Sequence, residues 1–456
     1  MDSIRKARAL KLYKLSKIIY DDDEDELHFA LLVSGQKQRF VKWKHQRIDW
    51  DIHLKMLRHT GGFQSRYHMT ESTFNKLVDI LREALEKNER QSIRSTGGND
   101  PITSEMTVAA GLRFLGGSLV KDIADLFGMS YSSVHRIVNL FLSAVNTHEH
   151  FKIEVPQTPD QLKACADGFQ SISSSFGIYY GCIGAIDGWL CCVNSPRVTN
   201  PVDYHSGHYH RHGVNVQAVC DDRLRFLYFA VAAPGRTNDV RAFNRCLSLR
   251  VWLQSLPAGY FVVGDNTYTL SNRMLVPFRG NQKKDPHKRS YNYYLSQMRI
   301  RIEMAFGRLS TKWRIFRRNL DVSLEKMSLI CIVAAKLHNF VIDNENLCFN
   351  PSTNISDFGI DRFPGTGEYN RGYLPTLMTT AESEELTRGE VGDVVHRREQ
   401  ILVEIEEKML CRPQHNLERN KELDADSVFE SERTGEQQEE AYFPREIMMS
   451  SEYAPT

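Results

Sequence analysis

No run of about 18 consecutive apolar residues occurs in the 456-residue sequence, so a membrane-spanning helix is not expected and no membrane partner is implied. The opening stretch, MDSIRKARALKLYKLSKIIYDDDEDELHF, lacks the apolar region and small-residue cleavage site of a secretory signal. Cysteine is present nine times but never as C-x-x-C, and the odd number argues against a disulfide framework. Reduced thiols in the cytosol or nucleus fit better. No repeat of 20–50 residues is visible, which leaves out solenoids and propellers. The remaining composition, 41% hydrophobic and 25% charged, is ordinary for a globular chain, and the length allows two to four domains.

A net charge of +1 conceals a separation of sign. Residues 381–456 hold 20 acids and 9 bases, a balance of −11, so residues 1–380 carry +12. A basic body with an acidic tail points to a polyanionic partner, nucleic acid first. The charged N-terminal segment, 1–48, contains an acidic run from Asp21 to Glu26, read as a solvated stretch. It ends in RFVKWKHQR (39–47), basic enough to suggest nuclear import and a nuclear as well as cytoplasmic location.

From 49 to 150 the apolar spacing is helical. MTESTFNKLVDILREALEKN (69–88) has Thr70 as its cap. Three more helices are predicted at 104–115, 118–127 and 130–145. The second and third have helix-turn-helix spacing, with Gly128 at the turn and Ser130 capping the second helix of the pair. Ser132, Ser133, His135, Arg136 and Asn139 are then candidates for DNA contacts. An all-helical packing module without DNA accounts for the same pattern, and both readings stand at this level.

Beyond 180 the period changes to strands. GCIGAIDGWLCCV (181–193), VNVQAVCD (214–221) and LRFLYFAVAA (224–233) read as β-segments, and YFVVGD (260–265) as a fourth strand that ends on Asp265. PGRTNDVRAFNRCLSL between them turns into a helix capped by Asn238 or Asp239. Hairpin-paired strands followed by strands interleaved with helices predict a mixed α/β sheet over 151–345. The stretch 279–318 holds 12 Lys/Arg against Asp285 and Glu303, with tyrosines and Trp313 interleaved. It is read as helical from about 295. Lys283, Lys284, Lys288, Arg289, Arg299 and Arg308 are its candidate DNA contacts.

Asp187 sits in an otherwise apolar strand, where an uncompensated carboxylate costs several kcal/mol (about 2–7 even for a neutral polar group). Asp265 and Glu303 are expected near the same interior. Sharing divalent cations is one way to offset that cost, because Mg²⁺ takes oxygen ligands and two such ions can run phosphodiester chemistry. Structural readings remain for each acid: an Arg partner for Asp187, a turn cap for Asp265, and an ion pair with Arg299 for Glu303.

The ordered set A-I-D-G, N-V-Q-A-V-C-D, P-G-x-x-x-D, G-D-x-x-Y-x-L and I-E-x-A-F-G-R-L-x-x-x-W-R, over about 100 to 345, resembles the PIF/Harbinger transposases and the nucleases derived from them. The resemblance implies an RNase H-like catalytic domain preceded by an all-α, helix-turn-helix-type region. It further implies a D-D-E triad of Asp187, Asp265 and Glu303 on divalent metal, Mg²⁺ or Mn²⁺, with Asp239 as a further metal-site acid. The activity implied is a DNA endonuclease or transposase. A Myb-like accessory DNA-binding protein and a homo-oligomer are the implied partners besides DNA. The alternative is a domesticated DNA-binding protein with weak catalysis. Two departures stand out: Trp189-Leu190 replaces the Thr-His of many relatives, and YHSGHYHRHG replaces a basic N-R-K-G-x-H segment. His205, His208, His210 and His212 of that segment are read as a DNA-contacting loop in preference to a zinc site. In the acidic C-terminal tail, 346–456, the segment 386–410 is expected to form an amphipathic helix and the remainder disorder.

Overall fold

Short polar side chains that cap helix starts lay out the N-terminal half. The computed structural model describes residues 46–86, 101–196, 198–345 and 396–412, except the side chains of Lys283 and His396. The acidic run Asp21–Glu26, most of 39–47, Cys348 and most of the acidic tail lie outside the described residues. From Ile48 onward the described residues form one compact unit.

Six helices come first: α1 (Trp50–Thr60), α2 (Phe63–Tyr67), α3 (Glu71–Leu85), α4 (Ser104–Leu115), α5 (Val120–Phe127) and α6 (Tyr131–Thr147). Thr70 caps α3 by accepting the Thr73 N–H at 3.3 Å, and Ser130 caps α6 through the Ser133 N–H at 3.3 Å. Gly128 ends α5 at φ 61°, a left-handed turn that favours glycine. Phe141 of α6 lies directly against Gly111 of α4, where an added Cβ would stand 2.1 Å from its ring. A seventh helix, α7 (Pro159–Ile172), opens on a capping box between Thr158 and Gln161 and leads to the sheet.

The sheet contains β1 (Cys182–Cys192), β2 (His205–Ser206), β3 (Arg211–Cys220), β4 (Phe226–Pro234), β5 (Phe261–Val263) and β6 (Met274–Leu275). β1 is central: it pairs antiparallel with β3 and parallel with β5. β4 and the short β2 both pair antiparallel with β3, and β6 runs parallel beside β5. The fold is thus mixed α/β around a mixed sheet. Between β4 and β5 lie α8 (Asp239–Arg245) and α9 (Leu247–Ser255), and after β6 come α10 (Pro286–Lys312), α11 (Leu324–Asn344) and α12 (His396–Glu407).

Side chains alternate across β1. Ala185 and Cys191 join the large core shared with α10, α11 and the N-terminal helices; Ile186 joins the smaller core over α7 and α9. Asp187 and Trp189 therefore point toward α10, while Gly188 points the other way. α11 is long and apolar enough to cross a membrane by length and composition, yet 67% of its most apolar window is buried inside the fold. Its Asn339 clamps the start of β4, accepting the Phe226 N–H and donating to the Phe226 carbonyl, both at 2.8 Å. α10 begins nine residues before the position expected near 295, because Asp285 caps it and Pro286 occupies its first turn.

Candidate active site

Asp187 is half-buried, and its Oδ1 accepts only its neighbour's backbone N–H, from Gly188 at 2.8 Å. Burial, then the carboxylates of Asp265 and Asp239, push its carboxyl well above the usual range; Arg299 opposes them. Asp265 and Asp239 are therefore near enough for their charge to be felt at Asp187, with one guanidinium in reach. Asp265 follows β5, and its Oδ1 accepts the Thr267 N–H at 2.8 Å and the Thr267 hydroxyl at 2.5 Å. That is the turn-capping role open in the sequence, held while the same carboxylate acts on Asp187.

Asp239 is the first residue of α8, and the cap is its neighbour Asn238, which accepts the Arg241 N–H at 3.0 Å. The Asp239 carboxylate lies over Gly188: an added Cβ there would stand 2.1 Å from Oδ1. Two amides of β3 orient it. Asn215 donates to Oδ1 at 2.8 Å and Gln217 at 3.3 Å, while Gln217 accepts the Tyr268 hydroxyl at 2.8 Å. Burial still outweighs these bonds and raises the Asp239 carboxyl. The Asn215–Gln217–Tyr268 chain was missed as function in the sequence, although alternating polar side chains in V-N-V-Q-A-V, on an otherwise apolar strand, are a visible signal.

Glu303 is placed differently. It lies on the α10 face that also carries Arg299 one turn before and Phe306 three residues after. Phe306 stacks on Trp189, with centroids 5.8 Å apart and planes 26° apart, so this helix face lies along the Asp187 side of β1. The Glu303 carboxylate, however, is exposed and paired with Arg299 Nη1 at 2.5 Å. Among the described residues no group of three or more His, Cys, Asp or Glu side chains stands ready to hold a metal ion. In kind, the donors suit Mg²⁺ or Mn²⁺: all are carboxylate oxygens, and Asp187 has little beside it to compensate its charge. In arrangement, Glu303 completes the set only by leaving Arg299.

The histidine segment forms the β2–β3 turn. His205 and His212 oppose each other with rings 5.1 Å apart, and His208 meets Tyr209 edge-on at 4.5 Å. Burial and the fields of Asp187, Asp239, Cys192 and Asp265 push the Tyr209 phenol up to about 12, so this turn borders the acids.

The candidate DNA contacts divide sharply. On α6, Ser132, Arg136 and Asn139 share an exposed face, whereas Ser133 and His135 are half-buried. Ser132 and Ser133 also bond the Ser130 cap. In the basic segment, Lys284 and Arg289 are exposed. Lys288 lies 3.7 Å from Asp285 and over the Phe278 ring, Arg299 holds Glu303, and half-buried Arg308 is drawn to Glu345. The Lys283 side chain is outside the described set. Arg279, Arg314 and Arg318, not singled out in the sequence, are exposed.

Asp187 on β1, Asp265 just after the parallel neighbour β5, Asp239 at the start of α8 and Glu303 on α10 thus come from four elements of one compact unit. Residues 186–339, which carry all four acids, match the family model described as DDE superfamily endonuclease. Among curated proteins it is similar to "Protein ALP1-like" of Arabidopsis thaliana, with 25% identity over 321 residues, 66% of this chain and 77% of the relative. No solved structure matches it.

Proposed function

We propose that the protein is a divalent-metal-dependent DNA endonuclease of PIF/Harbinger transposase descent, with an RNase H-like catalytic domain that cuts, and joins, phosphodiester bonds in the nucleus. The observation that carries this reading is Asp187, a strand carboxylate pressed by Asp265 and Asp239 with Arg299 and one backbone N–H, from Gly188 at 2.8 Å, against them. Asp187 and Asp265, with Asp239 and Glu303, would hold Mg²⁺ or Mn²⁺. Bound there, the metal supplies Lewis-acid activation of water or a 3′-hydroxyl and charge stabilisation at the leaving oxygen. The chain's own contribution is positional. Asn215 and Gln217 fix the Asp239 carboxylate, the β2–β3 turn with Tyr209 walls the acids, and Arg299 retains Glu303 until a phosphate or cation competes for one of them. The exposed cations Arg279, Lys284 and Arg289 would grip phosphates. Ser132, Arg136 and Asn139 on α6 would add contacts, and a Myb-like partner and self-association remain part of this reading.

The test is nicking of supercoiled plasmid in Mg²⁺. Asp187→Asn should lower cleavage by about a hundredfold or more, the scale of removing one transition-state-stabilising group. Equal cleavage by the two proteins refutes the assignment.

Two observations favour a second reading, a DNA-binding protein that keeps the fold without cutting: the Arg299–Glu303 pair and the lack of a ready three-donor group among the described residues. Salt-sensitive DNA binding with no cleavage by either protein selects it.

A further inference from the structure

A cavity of about 200 Å³ opens between the loop after β5 and the outer face of α10, next to the acids. Asn266, the residue after Asp265, lines one side, and Arg299, the partner of Glu303, lines the other. Phe278 and Leu295 supply apolar wall, and Ser296 stands exposed at the rim. The pocket is smaller than the roughly 300–1,000 Å³ of drug-sized ligand sites, so it suits one flat ring system and not a cofactor.

Its walls are pinned. Both polar atoms of the Asn292 amide are spent on Phe278, accepting its N–H at 2.8 Å and donating to its carbonyl at 3.1 Å. Arg398 of α12 lies 4.2 Å from the centroid of the Phe278 ring. By contrast, the Asn266 amide has no hydrogen-bond partner among the described residues. An apolar slot with one free amide and a guanidinium matches a nucleobase: flat faces, donors and acceptors along one edge, and an anionic backbone attached.

We propose that this pocket receives a single unpaired nucleobase of the DNA strand held at the acids. The proposal rests on the DNA-directed reading above. A stacked base cannot reach a pocket in the protein wall, so the nucleotide must rotate out of the duplex, at an unstacking and unpairing cost of a few kcal/mol. A nucleotide that is already extrahelical spares that cost and should bind more tightly.

The experiment compares the full chain, in EDTA so that no cleavage intervenes, on two short duplexes of one arbitrary sequence, by fluorescence anisotropy. One is fully paired and the other carries a single extrahelical nucleotide. The extrahelical duplex should bind about tenfold more tightly or better. Ser296→Phe, which fills the pocket from its exposed rim, should erase that preference and leave affinity for the paired duplex and the melting temperature unchanged. Should that variant not fold, Asn266→Ala must reduce the preference. Equal affinity for the two duplexes, or a preference that survives both substitutions, overturns the pocket assignment while DNA binding and cleavage stand. Failure to bind either duplex removes the DNA-directed reading and the pocket with it.

Discussion

Asp221 closes the β3–β4 turn by accepting the Arg225 N–H at 2.8 Å, and burial followed by its neighbour Asp222 pushes its carboxyl up to about 7. In the unfolded chain the same group titrates near 3.9. The folded state therefore holds the proton more tightly, and the stability Asp221 contributes is full below about pH 4 and lost as pH rises to about 7. Asp221→Asn keeps the acceptor and removes the charge. Thermal melts should show the variant gaining on the parent by roughly 1–3 kcal/mol at pH 8 compared with pH 4, a discounted share of three pKa units. A constant difference across that range would refute the turn's electrostatics. At this scale the sequence disclosed Asp187 and Asp265, because a carboxylate within or just after an apolar run is conspicuous. The i+4 pairing of Glu303 with Arg299 and the turn cap by Asp265 were among its readings, but the neighbours of Asp187 and Asp239 were not. The seat of Asp239 over Gly188 depends on two strands and a helix, and whether Glu303 pairs with Arg299 or turns toward the other acids depends on rotamers that spacing does not encode.

Among the elements, caps and periodicity located α3 to α6 to within a few residues, since Thr70, Ser130 and Gly128 are local signals. The apolar stripe of α10 becomes regular only near 295, whereas its start is set nine residues earlier by the Asp285 cap and Pro286. Two-residue strands such as β2 and β6 have no periodicity to read and depend on partners. α12 falls within the segment expected to be an amphipathic helix, but its docking was not legible. Ile401 and Ile405 are fully buried against the fold, and Arg397 donates to the carbonyls of Ile178 at 3.0 Å and Tyr180 at 3.3 Å, just before β1. Ile401→Ala should cost about 2–5 kcal/mol of that docking. Hydrogen exchange should then quicken in 396–407 and along the facing side of α10, with the β1–β3 ladder protected. Unchanged exchange in α10 would separate the two helices.

For the whole molecule, the charge division read from composition has a partial surface counterpart. Of the basic segment, Arg279, Lys284, Arg289, Arg314, Arg317 and Arg318 face solvent, while Arg299, Arg301 and Arg308 are turned at least partly inward. With about five phosphate contacts, DNA affinity should fall about 10²–10³-fold between about 50 and 200 mM salt. A flat salt dependence would remove phosphate contact as the source of binding. The helical region and the sheet share one continuous core, a consequence of tertiary packing that no window of sequence reports. The position of α12 in the chain has a consequence for synthesis. About 50 residues separate the end of α11 from its start. At about 5–20 residues per second, the outer face of α10 and the wall behind Phe278 stand uncovered for several seconds while that interval is translated. The nascent protein thus passes through a stage with Asp187, Asp239, Asp265 and Glu303 already made and their flank still open, and α12, the last of the described helices, finishes the enclosure.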